Sequence, residues 1–369
     1  ETAKHVDNHA LWINPEDSDH LRSGCDGGVY ESYDRGATWR FMSNMSLGQF
    51  YKVAVDYDEP FYNVYGGTQD NNSQGGPSRT PNTNGIRNSD WFITLSGDGH
   101  DQAVDPTDPD IVYSEWQKGN LVRYDRKTGE TVYIKPQPAE GEPNDRWNWD
   151  SPILISPHDP KRLYFASQRL WRSDDRGDSW APISGDLSHA RDRLQMDMMG
   201  RVWSIDAAWD LMAMSEYGTI TSIDESPLIE GLLYAGTDDG RIHVSSNGGE
   251  SWRAIERLPD VTDDYFVNDI KADLHDADTV YVVVDDHKSG DFSPYIYKSN
   301  NRGGTWVKIS NGLPDRHIVW RVVQDHVNPD LLFAGTEFGV YFTLDGGKKW
   351  IGLEGNAPTI AFRDLEIQR

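Results

Sequence analysis

Short apolar segments recur along the chain, and each follows a polar turn rich in Asp, Pro and Asn. The segments are too short for helices, and the Gly and Pro residues between them indicate strands separated by tight turns. In the last repeat the pattern predicts four strands, at 319–325, 331–335, 339–343 and 349–353. Seven repeats align on the apolar segment that follows the turn, at 20–21, 62–64, 111–113, 163–165, 232–234, 280–282 and 331–333.

A second periodicity is an eight-residue pattern, Ser/Thr-x-Asp/Asn-x-Gly-x-x-Trp. The Asp or Asn side chain can accept hydrogen bonds from the backbone N–H groups that follow it, and the Gly supplies a positive φ, as a tight turn requires. Five copies occur, at 32–39, 173–180, 245–252, 299–306 and 343–350. We expect the tryptophan that ends each copy to be largely buried against its own turn; these are Trp39, Trp180, Trp252, Trp306 and Trp350.

Together the two periodicities predict an all-β, seven-bladed β-propeller of four-stranded antiparallel blades. This propeller would occupy residues 1–358. A surplus C-terminal strand at 359–369 is interpreted as the first strand of a further, incomplete blade, so we expect the chain to be a piece of a longer protein. The only helix that the pattern favours is a polar insertion at 187–199.

Composition narrows the possible partners. The chain has 60 acidic against 35 basic residues and a net charge of −25, which repels nucleic acid and anionic membranes. No apolar run approaches the roughly 20 residues of a membrane-spanning helix. Cys25 is the only cysteine, so an internal disulfide is excluded. The acidity and the many Gly and Trp residues are typical of a secreted protein, either extracellular or periplasmic.

A resemblance to a known family is carried by the five eight-residue patterns and by the segments 5–9, 66–71, 97–99, 146–149, 236–240 and 335–337. The chain resembles Asp-box (BNR) repeat β-propellers, namely the secreted bacterial proteins labelled "glycosyl hydrolase" or sortilin-like and the two-propeller xyloglucanases. The resemblance implies a second propeller domain in the same full-length protein. It does not extend to catalytic residues, since neither the arginine triad of sialidases nor the catalytic Asp pair of xyloglucanases can be placed on this sequence.

Candidate binding residues collect on one face of the predicted propeller, where the loops between second and third strands and between blades lie. Long loops on a rigid scaffold commonly carry binding sites. The residues that end the second strands either open each hairpin by binding the turn backbone or form an acceptor-rich ring for sugar hydroxyls, a cation or a basic peptide. All seven are carboxylates or amides: Asp26, Gln69, Glu115, Gln168, Asp238, Asp285 and Glu337.

Tryptophans beside carboxylates favour carbohydrate binding, because the C–H faces of sugars stack on indole rings. The alternative is that these tryptophans fill the space between blades. Hydrolysis would require two carboxyls that face each other, and the sequence offers Asp98 and Asp238 as the catalytic pair. The predicted ligand-binding residues are Asp70, Arg146, Trp147, Trp149, Asp150, Asp239 and Glu337.

A candidate metal site lies near the N-terminus. His5, Asp7 and His9 alternate along the chain, so on a strand they would point the same way. Imidazole and carboxylate groups are ligands for Zn²⁺ and other divalent cations. No other cofactor is indicated.

Two functions fit the sequence. The first is a secreted propeller that binds or hydrolyses polysaccharide on its loop-bearing face. The second is a sortilin-like propeller that binds a peptide or protein without catalysis.

Overall fold

The computed structural model describes residues 4–45, 48–198, 201–202, 216–255 and 257–368. In this part of the chain the strands form seven four-stranded antiparallel sheets and one two-stranded hairpin. Each four-stranded sheet is built from four consecutive strands, so each is one blade. The protein is therefore an all-β propeller with seven blades, as the two sequence periodicities predict.

The blades are numbered I to VII in chain order. Blade I holds β1–β4 (Asn8–Ile13, Leu21–Cys25, Gly28–Ser32, Arg40–Phe41), blade II β5–β8 (Val53–Val55, Asn63–Gly67, Ser73–Pro77, Phe92–Leu95) and blade III β9–β12 (Gly99–Val104, Ile111–Trp116, Asn120–Asp125, Thr131–Tyr133). Blade IV holds β13–β16 (Ile153–Ile155, Leu163–Ala166, Leu170–Ser173, Ala181–Pro182), and the hairpin β17–β18 (Asp197–Met198, Arg201–Val202) follows it. Blade V holds β19–β22 (Ile220–Glu225, Leu233–Thr237, Ile242–Ser245, Arg253–Ile255), blade VI β23–β26 (Phe266–Ala272, Val280–Asp286, Asp291–Ser299, Val307–Lys308) and blade VII β27–β30 (Val319–Gln324, Leu332–Thr336, Gly339–Thr343, Ile351–Gly352). Three single 3-10 turns lie at Asn88–Asp90, Arg193–Gln195 and His287–Ser289.

The first strands of blades II to VII adjoin one another in sequence order, and they therefore surround the centre of the molecule. The core lies between blades. Five second strands each place a fully buried tyrosine there, namely Tyr65, Tyr113, Tyr164, Tyr234 and Tyr281. The hydroxyls of Tyr65 and Tyr281 donate to Asp56 and Asp273, 2.9 Å away in each case, in the polar turns that precede the second strands.

Blade I is less enclosed than the others. All six residues of β1 are exposed, including Leu11, Trp12 and Ile13. Blade I contacts blade II through loops, where Asn71 Nδ2 donates to the backbone oxygen of Asp26 over 3.1 Å.

The five eight-residue turns share one geometry. In the first, Ser32 Oγ accepts from Gly36 N (2.8 Å), and Asp34 Oδ1 accepts from Thr38 N (2.8 Å). Arg35 and Gly36 both have positive φ, 59° and 86°, and Gly tolerates this conformation best. The other four turns repeat these hydrogen bonds.

Three of the five turn tryptophans bind the main chain of the preceding blade, so the expectation that each packs mainly on its own turn is corrected for Trp180, Trp252 and Trp350. Trp350 is buried, whereas the other four are only half-buried. In these three turns the indole reaches a main-chain carbonyl at the outer edge of the preceding blade, so the turn joins two blades, whereas Trp39 and Trp306 lie beside the glycine of their own turn. Three such bonds form, from Trp180 to Ile134 (2.7 Å), Trp252 to Ile183 (3.0 Å) and Trp350 to Ile309 (2.7 Å).

The helix predicted at 187–199 is wrong for the described residues 187–198. Leu187 is buried in the core beneath blade IV, and its N–H donates to Gln168 O (2.9 Å). Asp192 then caps only a single 3-10 turn by accepting from Leu194 N (2.9 Å). Contacts with neighbouring loops thus replace the hydrogen bonds of a helix. Residue 199 lies outside the described residues.

The C-terminal segment 359–368 forms no strand, although a surplus strand is predicted there. Its main chain makes isolated bonds to blade VII, such as Phe362 N to Thr336 O (2.9 Å). The Asp364 carboxylate accepts from Val53 N (2.9 Å) in blade II, and it pairs with Arg321 in blade VII. The Asp364 carboxylate thus occupies the Val53 N–H, which the main chain of a neighbouring strand would otherwise bind. The segment links blades VII and II through this side chain. Residue 369 lies outside the described residues.

Candidate functional site

A groove with a volume of about 490 Å³ lies between blades VI and VII on the loop-bearing face. We call it the VI–VII groove. The turns after β24 and β28 and the loop before β27 bring its side chains together. It is lined by Phe266, Asn268, Asp285, His287, Phe292, Arg316, Ile318, Trp320, Glu337, Phe338 and Arg363.

A second cavity, of about 240 Å³, lies where the first strands of blades II to VII begin, and it is therefore the mouth of the central channel. It takes residues from six blades and from the C-terminal segment: Tyr51, Lys52, His100, Asn148, Trp149, Asp150, Thr221, Phe266, Asn268, Trp320 and Arg363. Phe266, Asn268, Trp320 and Arg363 line both cavities. The VI–VII groove and the channel mouth thus form one continuous depression.

Aromatic rings in the VI–VII groove are held by charged neighbours. The Trp320 indole N–H donates to Glu337 Oε2 (3.1 Å), and the Arg363 guanidinium lies over the Trp320 ring, 4.3 Å from its centroid. Asp285 is buried and bonds to the His287 ring through Oδ1. This hydrogen bond to the Asp285 carboxylate raises the pKa of His287.

The channel mouth contains buried polar atoms without partners among the described residues. His100 is fully buried, and neither ring nitrogen makes a hydrogen bond. Asp150 Oδ1 is also unpartnered, 4.0 Å from His100 Nδ1, while Asp150 Oδ2 lies 3.6 Å from Lys52 Nζ. Burial lowers the pKa of His100 and so favours the neutral ring, which offers one donor and one acceptor. Unpaired buried polar groups are costly, so these atoms are suited to hydrogen bonding with a ligand.

Aromatic rings frame the same polar atoms. Tyr51 stacks on His100 with centroids 4.6 Å apart, and Trp149 meets His100 edge to face at 6.2 Å. Burial raises the pKa of Tyr51 to about 12, so its hydroxyl stays protonated. The channel mouth therefore combines flat apolar surfaces with hydrogen-bonding groups.

Three of the predicted ligand-binding residues lie in this depression. Trp149 and Asp150 line the channel mouth, and Glu337 lines the VI–VII groove.

Three other predicted ligand-binding residues have structural contacts instead, and the fourth, Asp70, is exposed and lies outside both cavities. Trp147 is only 6% exposed and stacks on Phe165 at 4.9 Å. Arg146 bonds Asp186 (2.6 Å), Ser188 and the Gly218 carbonyl, and it thereby fixes a loop. Asp239 is fully buried and accepts from His189 N (2.7 Å).

The predicted catalytic carboxyls belong to separate hydrogen-bond networks. Asp98 accepts from Asp70 N and from Gln117 Nε2, both over 2.7 Å, and so holds the turn between β6 and β7. Asp238 accepts from Gly218 N (3.0 Å) and from both the N–H and the hydroxyl of Thr219. Burial raises the pKa of each carboxyl to about 6. Both side chains are buried and accept hydrogen bonds from neighbouring loops, so each carboxyl has a structural role in this fold.

The predicted metal triplet is not assembled. Asp7 has a positive φ of 55° and precedes β1, so the alternation expected on a strand does not apply. His5 bonds the backbone of Val6, and His9 bonds Asp26. Carboxylate oxygens of Asp7, Asp26 and Asp70 instead lie within 4.8 Å of one another, a separation that one cation could bridge.

Several site residues escape sequence reasoning. Asp285 is the exception, because it ends a second strand, a position that the repeat alignment singles out. His100, Lys52, Phe292, Arg316 and Arg363 follow no repeat pattern, because only the closure of the ring brings them to one depression.

The fold and this depression define an all-β propeller with an aromatic groove on its loop-bearing face, and comparisons with known proteins agree on the fold. No protein-family model matches the chain. A xyloglucanase from Paenibacillus sp is 25% identical over an alignment of 230 residues, and the match covers 56% of this chain and 21% of that enzyme. The extracellular domain of a hybrid two-component system from B. thetaiotaomicron matches with 13% identity and a TM-score of 0.54, over 91% of this chain and 38% of that one. An ancestral GH74 enzyme matches with 13% identity and a TM-score of 0.49, over 91% of this chain and 36% of that one.

The chain thus spans well under half of each of these proteins. The likeness to the extracellular domain of the two-component system, at 13% identity, shows the fold alone. Among the described residues no helix is long and apolar enough to cross a membrane.

Proposed function

We propose that this propeller binds polysaccharide along the VI–VII groove and the channel mouth, outside the cytoplasm. The observation that carries the proposal is the continuity of the two cavities through Phe266, Asn268, Trp320 and Arg363. A continuous depression lined by aromatic rings and hydrogen-bonding groups suits an extended sugar chain, whose C–H faces stack on rings and whose hydroxyls need donors and acceptors.

The similarity to a xyloglucanase supports the same ligand class. We propose binding without hydrolysis by Asp98 and Asp238, because both carboxyls are buried and accept hydrogen bonds from loop donors. A peptide-binding role remains the second candidate, and the binding experiments below include a peptide for that reason.

The first prediction tests the tryptophans of this depression. Trp149→Ala and Trp320→Ala should each weaken binding to the best of a panel of soluble polysaccharides by about tenfold, since burying an aromatic face contributes ~1.5 kcal/mol. Isothermal titration calorimetry against xyloglucan, glucomannan, galactan and polygalacturonan measures this. Trp149→Tyr keeps a ring and should retain most of the affinity.

Trp12→Ala is the matched control, because Trp12 is 45% exposed on β1 and lies outside both cavities. Melting curves verify that each variant is folded. Equal affinity of wild type, Trp149→Ala and Trp320→Ala would refute the assignment of this site.

A further inference from the structure

The VI–VII groove carries cationic groups that oppose the overall charge of the protein. The chain has a net charge of −25, and most of its arginines pair with carboxylates. Arg316 and Arg363 line the groove and make no ion pair within the described part of the chain. Two guanidiniums without an ion pair in one groove of an acidic protein are available to bind an anionic ligand.

Both guanidiniums are positioned by aromatic rings. Arg363 lies over Trp320 at 4.3 Å, and Arg316 lies over Phe292 at 4.9 Å. Stacking on a ring orients the planar guanidinium and leaves its N–H groups free at the edges. These N–H groups are arranged to bind a carboxylate or sulfate in bidentate fashion.

The carboxylates of the groove do not neutralise these two arginines. Asp285 is 1% exposed and bonds His287, and Glu337 accepts from the Trp320 indole. Neither acid forms an ion pair with Arg316 or Arg363 among the described residues. The His287 ring offsets the charge of Asp285 when it is protonated.

We propose that the VI–VII groove selects a glycan bearing anionic sugar residues, such as uronates or sulfated sugars, with Arg316 and Arg363 binding the anionic groups and the rings of Trp320 and Phe292 contacting the sugars. This proposal rests on the polysaccharide-binding function proposed above and specifies its ligand. The net charge of −25 repels densely charged polyanions over long range, so anionic groups spaced along a sugar chain fit better than nucleic acid.

A matched pair of ligands tests this inference. Polygalacturonan and its fully methyl-esterified form share one backbone and differ only in charge. Polygalacturonan should bind at least about tenfold more tightly at about 0.15 M salt, where the long-range repulsion is screened, because charge-assisted hydrogen bonds to guanidinium are lost in the ester. EDTA is included so that a divalent cation cannot bridge the acidic protein and the acidic glycan. A sulfated galactan and its desulfated form provide the second pair.

Arginine variants then locate the effect. Arg316→Gln and Arg363→Gln should each reduce affinity for the anionic member of a pair by about tenfold and reduce affinity for the neutral member much less, so the preference for the anionic member shrinks. Arg257→Gln removes one positive charge from a highly exposed position outside the groove, and it should change neither affinity.

The outcomes separate the two proposals. Preference for the sulfated galactan rather than polygalacturonan supports the inference and identifies sulfate as the anion. Equal binding of charged and neutral members, or unchanged affinity in both groove variants, would overturn the anionic selectivity and leave polysaccharide binding intact. Binding of an oligoglutamate peptide without binding of any glycan would overturn both.

Discussion

Two tryptophans only two positions apart have opposite surroundings. Trp147 is enclosed against Phe165, and its ring also packs on Gly119, where a Cβ atom would come within 2.3 Å of the indole. Trp149 lines the channel mouth beside His100. Residues 147–150 precede β13 in an irregular segment, so the alternation of a strand does not decide which ring faces outward.

This difference predicts separable effects of substitution. Trp147→Ala should lower the free energy of unfolding by about 3–5 kcal/mol, because it leaves a cavity in the core between blades III and IV. Chemical denaturation followed by circular dichroism measures the loss. Trp149→Ala should lower it by much less. A Trp147→Ala variant as stable as the wild type would show that this ring does not pack in the core.

At the scale of elements, the eight-residue turn is the unit that joins blades. Hydrogen bonds from Thr38 lower the pKa of Asp34, and those from Ser179 lower the pKa of Asp175. A carboxyl with a lowered pKa in the folded state stabilises the fold above its unfolded pKa, and this contribution is lost as pH falls. Two copies of the turn use Asn instead, and Asn301 Nδ2 donates to Thr305 Oγ1 (3.1 Å) without any titrating group.

The natural Asn turns provide the design of a pH experiment. Asp34→Asn with Asp175→Asn should leave the melting temperature at pH 7 nearly unchanged, since the amide oxygen still accepts from the backbone. Below about pH 4 the variant should lose less stability than the wild type. Melting curves from pH 7 to pH 3 measure this, with the exposed Glu354→Gln as control. Parallel acid profiles of variant and wild type would contradict the prediction.

At the scale of the whole molecule, side chains of the C-terminal segment link blade VII to blade II. Arg321 is mostly buried and contacts two carboxylates, Asp364 and Asp269, the latter at 2.8 Å. The Asp364 carboxylate also accepts the N–H of Val53 at the start of β5. One side chain therefore connects the first strands of two blades that are far apart in sequence.

Removing this link should destabilise the fold. Asp364→Ala leaves the Arg321 charge with one partner and the Val53 N–H with none, which should cost about 3 kcal/mol. Urea denaturation monitored by tryptophan fluorescence gives the value. Glu354→Ala, an exposed acid upstream of the segment, is the control. A loss equal to that of the control would show that the segment does not hold the blades together.

The sequence was sufficient for the fold but only partly for the site. Regular spacing of short apolar segments predicts blades, because each blade repeats one set of strands and turns. The depression is assembled from irregular positions of different blades, and neither the enclosure of Trp147 nor the exposure of Arg363 follows from spacing. Asp98 and Asp238 lie next to strand ends, as the sequence predicts. Their carboxyls nevertheless accept hydrogen bonds from backbone N–H groups, and the pattern of side chains along the sequence does not reveal these bonds.

The exposure of β1 has a consequence for how the molecule opens. Blade VI has a second strand, β24, that is buried at all seven positions, whereas blade I has a first strand exposed at all six. Amide protons of β24 can therefore exchange with solvent only when much of the propeller unfolds, while those of blade I become accessible through local fluctuations. We therefore expect hydrogen exchange to show blade I opening at a lower free energy than blade VI.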